Sequence, residues 1–309
     1  MAIDLSGGLD PATELVLAER PENPEVRDAV NVWIESDKGD FAMRIGVEAL
    51  ASEWEEHDIW LDVAFPNGRV LNFRESGAIH PALDANGEPT IRGAGPVKFQ
   101  CIKPFESWTV SFKGSASEFT ALGLARDQLP ENPEMTELEF HIEMSMAVPS
   151  WVSGTLLPES IEMMAGKQGE YMSPRHEQLF TATGWMRVGN DHQDFTARGL
   201  RIRRQGVRKF EGFWGHCWQS AVFPSGKAFG FNIYPPRDDG QPNFNEGFIF
   251  DGEKIRLDSR AVGIFNKKPA RTTQSISCDF NCFSKIPFFI SSLEKTKEGM
   301  ASFFALSST

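Results

Sequence analysis

The chain is 309 residues long, with 40% hydrophobic residues, 24% charged residues and a net charge of −12 at pH 7. Because single domains commonly span about 100 to 200 residues, this length favours two domains. The strong negative charge disfavours nucleic acids and anionic membrane surfaces as partners, since both bind basic patches. No apolar run approaches the roughly 20 residues of a membrane helix, and residues 1–10 lack the basic and apolar regions of a signal peptide. We therefore expect a cytoplasmic protein without membrane insertion.

The cysteine and histidine residues form neither a metal nor a disulfide pattern. Four cysteines are too few for a disulfide scaffold, and the pair Cys278 and Cys282 has no second ligand pair nearby. The six histidines lack ligand spacings such as His-x-His or His-Glu-x-x-His. Phosphate-loop, dinucleotide-binding and Gly-x-Ser-x-Gly motifs are also absent from the sequence. We expect free thiols, no metal and no cofactor.

Hydrophobic alternation is the clearest structural signal. Between residues 137 and 148 apolar side chains occupy every second position, which predicts a strand with one wet and one buried face. Shorter alternations predict strands around residues 59–65 and 108–112. Turn-forming groups separate such runs, and their Asn-Gly and Asp-Gly pairs suit turns that need positive φ. These groups lie at residues 66–68, 85–87, 113–114, 224–226, 238–240 and 251–252.

Many short strands joined by tight turns favour antiparallel meanders that close into barrels or sandwiches. Helix is expected only near residues 10–18 and 158–165, and residues 126–136 are expected to form an exposed connection. A Pro- and Gly-containing stretch at 150–175 separates two strand-rich regions. The sequence thus predicts an all-β, mainly antiparallel protein with an N-terminal extension (1–30), a first domain (31–165) and a second domain (166–309).

Several motifs occur in the order found in a known family. They are Trp-Glu-Glu-His-Asp-Ile-Trp (54–60), Phe-Pro-Asn-Gly-Arg-Val (65–70), Lys-Pro-Phe-Glu-Ser-Trp (103–108), and the stretches 199–208 and 245–252. Across residues 30–265 the chain resembles the two-domain lipocalin-like family of AttH-type proteins and carotenoid 1,2-hydratases. The resemblance implies two lipocalin-like domains and an apolar pocket for a small hydrophobic molecule.

The chain departs from this family in its central motif. Relatives often read Gly-x-Arg-Asp-His-Ser-Trp-Gly-x-Arg. Here residues 199–208 keep the glycines and the outer arginines, but Ile202 and Arg203 replace the acid and the histidine. An activity that depends on that acid–imidazole pair is therefore not implied by the resemblance.

An aromatic cluster with titratable groups follows the motif. If Trp214, His216 and Trp218 share a strand, period-2 geometry places all three on one face. Indoles bury apolar area and stabilise developing cations, and a histidine or glutamate can move a proton. The catalytic candidates are His216 as proton carrier, with Glu211 or Glu246 assisting. The alternative is that the ring residues belong to the core, Glu211 pairs with a nearby cation and Glu246 lies in a turn.

Arginines are concentrated just before this cluster. Alternation places Arg201 and Arg203 on one strand face, and Arg204 and Arg208 on the other. These side chains either pair with acidic residues of the other domain or bind a carboxylate or phosphate of a ligand. On the second interpretation the substrate-binding candidates are Arg201, Arg203 and Arg208, together with Trp214, Trp218 and Trp60.

Two functions from different classes fit this pattern. The first is a cofactor-independent lyase or isomerase, of the hydratase, dehydratase or cyclase type, acting on a terpenoid-, steroid- or polyene-like molecule. The second is a carrier that binds such a molecule through the same aromatic residues without proton transfer. The replaced acid–histidine motif favours the carrier, whereas a histidine between indoles favours the enzyme. We expect the enzyme.

Overall fold

A computed structural model describes residues 3–155, 174–208, 217–233, 245–257, 295–296 and 299–300. Antiparallel strands dominate the described residues, which confirms the predicted all-β class. The strands are β1 (Val26–Ser36), β2 (Ala42–Leu50), β3 (Glu56–Ala64), β4 (Arg69–Ala78), β5 (Ile91–Ala94), β6 (Val97–Lys103), β7 (Ser107–Thr120), β8 (Met135–Met146), β9 (Trp151–Val152), β10 (Arg175–Val188), β11 (Asp191–Val207), β12 (Cys217–Val222), β13 (Ala228–Ile233), β14 (Asn245–Phe250), β15 (Ile255–Leu257), β16 (Lys295–Thr296) and β17 (Gly299–Met300).

Helical structure is sparse in the described part of the chain. It comprises two 3-10 turns, Pro11–Glu14 and Ala51–Glu53, and the short helix α1 (Ala121–Arg126). Among these described helices none has the length and apolar character needed to cross a membrane.

The chain divides into two compact units. The first unit comprises Met1–Ala121, Leu129–Ser153 and Ser173–Lys209, and the second comprises Leu122–Gln128, Gly154–Met172 and Phe210–Thr309. The domain boundary predicted at residue 165 lies outside the described residues and stays a prediction.

A closed antiparallel sheet forms the first unit. Its strands follow the order β4, β3, β2, β1, β11, β10, β8 and β7. β7 pairs again with β4, and this second pairing closes a ring of eight strands. β5 and β6 extend from β7, and β9 pairs with β10. The closing pairing joins Arg69–Asn72 of β4 to Ser117–Thr120 of β7, so these strands cover part of each other's edge, as in other closed all-β folds.

Alternate side chains of these strands form the hydrophobic core of the first unit. On β8 the buried apolar positions are 138, 140, 142, 144 and 146, so the strand predicted at 137–148 is confirmed, with bounds of Met135–Met146. On β1 the core residues are Val30, Val32 and Ile34, and on β2 they are Met43, Ile45 and Val47. The opposite face of β1 and β2 carries polar and aromatic side chains, which are considered below.

In the second unit the described core is a four-stranded antiparallel sheet with the order β12, β13, β14 and β15. The predicted turns at 224–226 and 251–252 connect β12 to β13 and β14 to β15. Gly226 and Gly252 have φ values of 81° and 102°, which explains why glycine occupies both turns.

Two local predictions are wrong. Lys113 and Gly114 lie inside β7, where Gly114 pairs with Leu138 of β8, so continuous strand pairing prevails over local turn preference.

The helix predicted at 10–18 is limited to Pro11–Glu14, after which Leu15 is extended. The Leu15 carbonyl oxygen accepts a hydrogen bond from the Arg203 guanidinium, a tertiary contact that replaces a further helical turn. The helix predicted at 158–165 and the turn predicted at 238–240 lie outside the described residues.

Candidate functional site

Buried charges gather in the interior of the first unit. On β11, Arg201 and Arg203 occupy the same strand face as the core residues Phe195 and Ala197, as alternation predicts. Arg201 is 0% exposed and Arg203 is 1% exposed. Fully buried guanidinium groups need compensating acceptors, because burying an unpaired charge is costly.

Glu14 supplies one of these acceptors. Its Oε1 accepts a hydrogen bond from Arg201 Nη2 at 2.8 Å, and its Oε2 accepts one from Trp108 Nε1 at 2.7 Å. His176 Nε2 also contacts the Glu14 carboxylate. Burial opposes ionisation of Glu14, but Arg201 and His176 outweigh it and hold the pKa of this carboxyl far below its usual value. Burial lowers the pKa of His176, although its hydrogen bond to Glu14 acts in the opposite direction.

Asp28 supplies the second acceptor. It accepts hydrogen bonds from the guanidinium groups of Arg203 and Arg92, and from the backbone N–H of Leu17 at 2.6 Å. Burial alone would raise the pKa of Asp28, but the two arginines lower it. The extended segment after Pro11–Glu14 is thereby tied to the interior of the closed sheet.

The basic run of β11 is thus paired with acidic residues near the start of the chain. The four ion pairs are Arg198–Asp37, Arg201–Glu14, Arg203–Asp28 and Arg204–Glu48. These four arginines therefore form ion pairs, as one of the two interpretations predicts. Their partners lie in the same unit and not in the other domain. Substrate binding by Arg201 and Arg203 stays a prediction. Both side chains face the interior of the closed sheet, so a substrate would have to enter that interior to contact them.

Arg204 lies on the outer face of the first unit, and Arg208 directly follows the end of β11. Burial lowers the pKa of Arg204 to about 9 and that of Arg208 to about 10. On the same sheet, the Arg44 guanidinium lies 5.7 Å from the ring centre of Trp33 and 5.8 Å from that of Trp60. Trp60 is partly buried, as a ligand-contacting residue would be, but its substrate contact stays a prediction.

A row of three side chains crosses the sheet of the second unit. Trp218 on β12 is the register partner of Asn232 on β13, and Asn232 is the register partner of Glu246 on β14. All three residues are buried, with exposed fractions of 3%, 0% and 1%. Register partners share a sheet face, so an indole, an amide and a carboxylate lie side by side. We call this set the Trp218–Asn232–Glu246 row.

Hydrogen bonds fix the Glu246 carboxylate within this row. Oε1 accepts a hydrogen bond from Asn232 Nδ2 at 3.1 Å, and Oε2 accepts one from the backbone N–H of Gly154 at 2.7 Å. Glu246 lies within strand β14, so the alternative of a turn residue is wrong. Its substrate-facing role stays a prediction.

Two polar atoms at the row have no hydrogen-bond partner in the part of the chain that the structure describes. They are Asn232 Oδ1 and Ser220 Oγ, both buried. Buried polar atoms in native proteins are usually satisfied by protein or by a bound molecule, so these two atoms mark a place where a ligand hydroxyl or a water can bind. Phe248, two residues from Glu246 on β14, adds an apolar side chain that is 3% exposed.

Three of the predicted site residues, Glu211, Trp214 and His216, lie outside the described residues. In the part of the chain that the structure describes, no group of three or more His, Cys, Asp or Glu side chains could hold a metal. Sequence reasoning missed Ser220 and Asn232. The signal for Asn232 is an amide between Phe231 and Ile233 in an otherwise apolar run.

Comparisons with known proteins give distant structural similarities. No family model and no curated protein sequence matches the chain. An AttH protein from Nitrosomonas europaea aligns at 12% identity and a TM-score of 0.48, covering 79% of this chain and 74% of that one. Kievitone hydratase from Nectria haematococca aligns at 8% identity and 0.45, covering 96% and 93%. CghA bound to Sch210972 aligns at 11% identity and 0.43, covering 82% and 68%.

Proposed function

We propose that this chain is a cofactor-independent lyase or isomerase, of the hydratase, dehydratase or cyclase type, acting on a hydrophobic small molecule. The proposed substrate is terpenoid-, steroid- or polyene-like, and the proposed compartment is the cytoplasm. At the similarity levels above, the solved structures assign no activity, so the proposal rests on this chain's own residues.

The observation that carries the proposal is the Trp218–Asn232–Glu246 row. A carboxylate that is 1% exposed shares a sheet face with an indole two strands away, and the amide between them and Ser220 each carry a buried oxygen without a hydrogen-bond partner among the described residues. Such a group can transfer a proton away from bulk water, and an indole can stabilise a developing cation on an apolar substrate. Ser220 Oγ and Asn232 Oδ1 would orient a hydroxyl group or an attacking water.

The proposed proton path starts at Glu246. In hydration the Glu246 carboxyl group delivers a proton to the alkene, and a second group takes a proton from the attacking water. In dehydration the carboxylate removes a proton, and the second group protonates the hydroxyl, which leaves as water. Trp218 faces the carbon that gains positive charge. His216, one residue before β12, is proposed as the second proton carrier, and Glu211 as its assistant. Trp214 would extend the aromatic wall.

One observation favours the second candidate, a carrier without catalysis. Both Glu246 oxygens accept hydrogen bonds, one from Asn232 and one from the Gly154 backbone. These two hydrogen bonds hold the carboxylate in one position, which suits a fixed binding group. The same row would then recognise the ligand without changing it.

Mass spectrometry distinguishes the two candidates. The protein is incubated with an extract of hydrophobic metabolites, and the free and protein-bound fractions are compared. An enzyme produces a new species by gain or loss of water, or an isomer of unchanged mass, in proportion to incubation time. A carrier enriches one compound in the bound fraction without producing a new one. The variant His216→Gln should abolish the new species and keep the enrichment, since glutamine keeps hydrogen bonding but cannot act as an acid or base near neutral pH.

A further inference from the structure

The side chain of Arg44, on the outer face of the first unit, has no described partner for its charge. No carboxylate lies within ion-pair distance of its guanidinium and no hydrogen bond to it is found among the described residues, while its Nε is buried. Burial lowers the pKa of Arg44. Arginines in proteins are ordinarily buried only with an acceptor, so a ligand that brings one would remove this deficit.

Asp62, the register partner of Arg44, is engaged elsewhere. Its Oδ2 accepts a hydrogen bond from Arg74 Nη2 at 2.9 Å, and its Oδ1 accepts one from Asn72 Nδ2 at 2.5 Å. Asp62 therefore raises the pKa of Arg44 only through space and leaves the guanidinium donors open.

Two indoles flank the guanidinium. The Arg44 Cζ lies over the ring of Trp33 at 5.7 Å and over the ring of Trp60 at 5.8 Å. Separations near 6 Å are at the long end for cation–π contacts, so the rings compensate little of the charge. They do provide two flat apolar surfaces on either side of a planar cation.

A glycine on the next position of the same face makes this arrangement possible. Gly46 is the register partner of Trp60, and a Cβ there would lie 2.5 Å from the Trp60 ring and 2.3 Å from Asn31 Oδ1. The indole therefore lies across the backbone of β2, where any larger residue would displace it. The Trp60 Nε1 is buried and has no hydrogen-bond acceptor in the described chain.

The two polar side chains that would contact the ligand are donors. Arg44 and Trp60 present N–H groups and no acceptor, because guanidinium and indole nitrogens donate only. Both side chains are partly exposed, so the site is open to solvent. The charge of Arg44 contributes to the lowered pKa of Arg208, so the two arginines lie near each other. Arg208 therefore adds positive potential at the site.

From these contacts we infer that Trp33, Arg44 and Trp60 form a binding site for a planar, conjugated carboxylate, with the anion on Arg44 and the ring system on the indoles. Bidentate binding of carboxylates by guanidinium groups is strong and directional. The site lies on strands β1, β2 and β3. The inference is independent of the catalytic role proposed for Glu246.

Calorimetry with two probes of the same shape tests this inference in the full chain. 2-Naphthoate carries the carboxylate, and 2-naphthamide replaces it with a neutral amide. We expect 2-naphthoate to bind at least about tenfold more tightly, the factor that corresponds to one charge-assisted hydrogen-bond pair. Equal affinities of the two probes, or no binding of 2-naphthoate, would overturn the inference without any variant being needed.

Variants then locate the site. Arg44→Met should weaken 2-naphthoate about tenfold or more and leave 2-naphthamide within about twofold, since only the charge is lost. Trp60→Phe should weaken both probes, because the ring wall is shared. The matched control is Arg187→Met, which removes an exposed arginine paired with Glu139 on β8. Unchanged 2-naphthoate affinity in Arg44→Met, or an equal loss in the control, would overturn the site. None of these measurements involves turnover, so failure here and failure of the proposed reaction are separate results.

Discussion

Glu14 and Arg201, separated by 187 residues in the sequence, form a buried ion pair with 2.8 Å between Oε1 and Nη2. Both side chains are completely excluded from solvent. A residue near the start of the chain therefore neutralises a cation of β11 inside the closed sheet, and residues that follow it bond Arg203 and Arg92 through their carbonyl oxygens. We therefore expect the stability of the first unit to depend on residues of the predicted N-terminal extension (1–30).

Glu14→Gln tests that dependence. The variant keeps the size of the side chain but leaves Arg201 without its counter-charge, and breaking a buried pair in this way commonly costs about 3 to 5 kcal/mol. The free energy of unfolding is measured in urea by tryptophan fluorescence. Glu19→Gln is the matched control, because Glu19 is exposed on the same segment. A loss in Glu14→Gln no larger than that of the control would show that the pair contributes little.

The stability of the protein should fall in mild acid through its buried histidines. Burial lowers the pKa of His57 to about 4, whereas an unfolded histidine titrates near 6.5. The unfolded chain thus binds a proton first as the pH decreases, so the free energy of unfolding falls between about pH 6.5 and 4. His57→Gln should make this decline shallower, with part of it left because the pKa of His176 is lowered too. The exposed His192→Gln should keep the wild-type slope, and an unchanged slope in His57→Gln would contradict the assignment.

Gly199 should tolerate no side chain. A Cβ at this position would lie 2.1 Å from the backbone oxygen of Trp33 and 2.5 Å from the Phe180 ring. Because backbone atoms cannot move aside easily, Gly199→Ala should lower the free energy of unfolding by about 1 to 3 kcal/mol, the usual cost of overpacking. The control is Gly114→Ala on β7, where a Cβ would make contacts of 3.4 Å. Equal stability of the two variants in urea would contradict the close approach of β1 and β11.

Local pattern was enough to predict much of the fold. The strand at 137–148 and the turns at 66–68, 224–226 and 251–252 follow from alternation and turn residues within a few positions. Gly114 shows the limit of such reasoning, since its pairing with Leu138 depends on a strand that begins some twenty residues later.

The candidate site was predictable only in part, for a related reason. Alternation correctly separated Arg201 and Arg203 from Arg204, but nothing local indicates which of the 43 acidic residues would pair with each arginine. The sequence predicts Glu246 only as a second acid of the pocket, with a turn residue as the alternative. Its neighbours Asn232 and Trp218 are set by strand register across three strands, and register is a property of the whole sheet.

The most direct test of the proposed function compares wild type and Glu246→Gln in the same hydrophobic extract, with mass spectrometry of products and of bound compounds. Glutamine keeps the size of the side chain and one acceptor for the Asn232 or Gly154 hydrogen bond, but it cannot transfer a proton. Formation of the hydrated, dehydrated or isomerised species should fall about 10²- to 10⁴-fold, while the same parent compound remains enriched on the protein. If Glu246→Gln forms the product at the wild-type rate, Glu246 is not the proton-transferring group and the proposed reaction at the Trp218–Asn232–Glu246 row is contradicted.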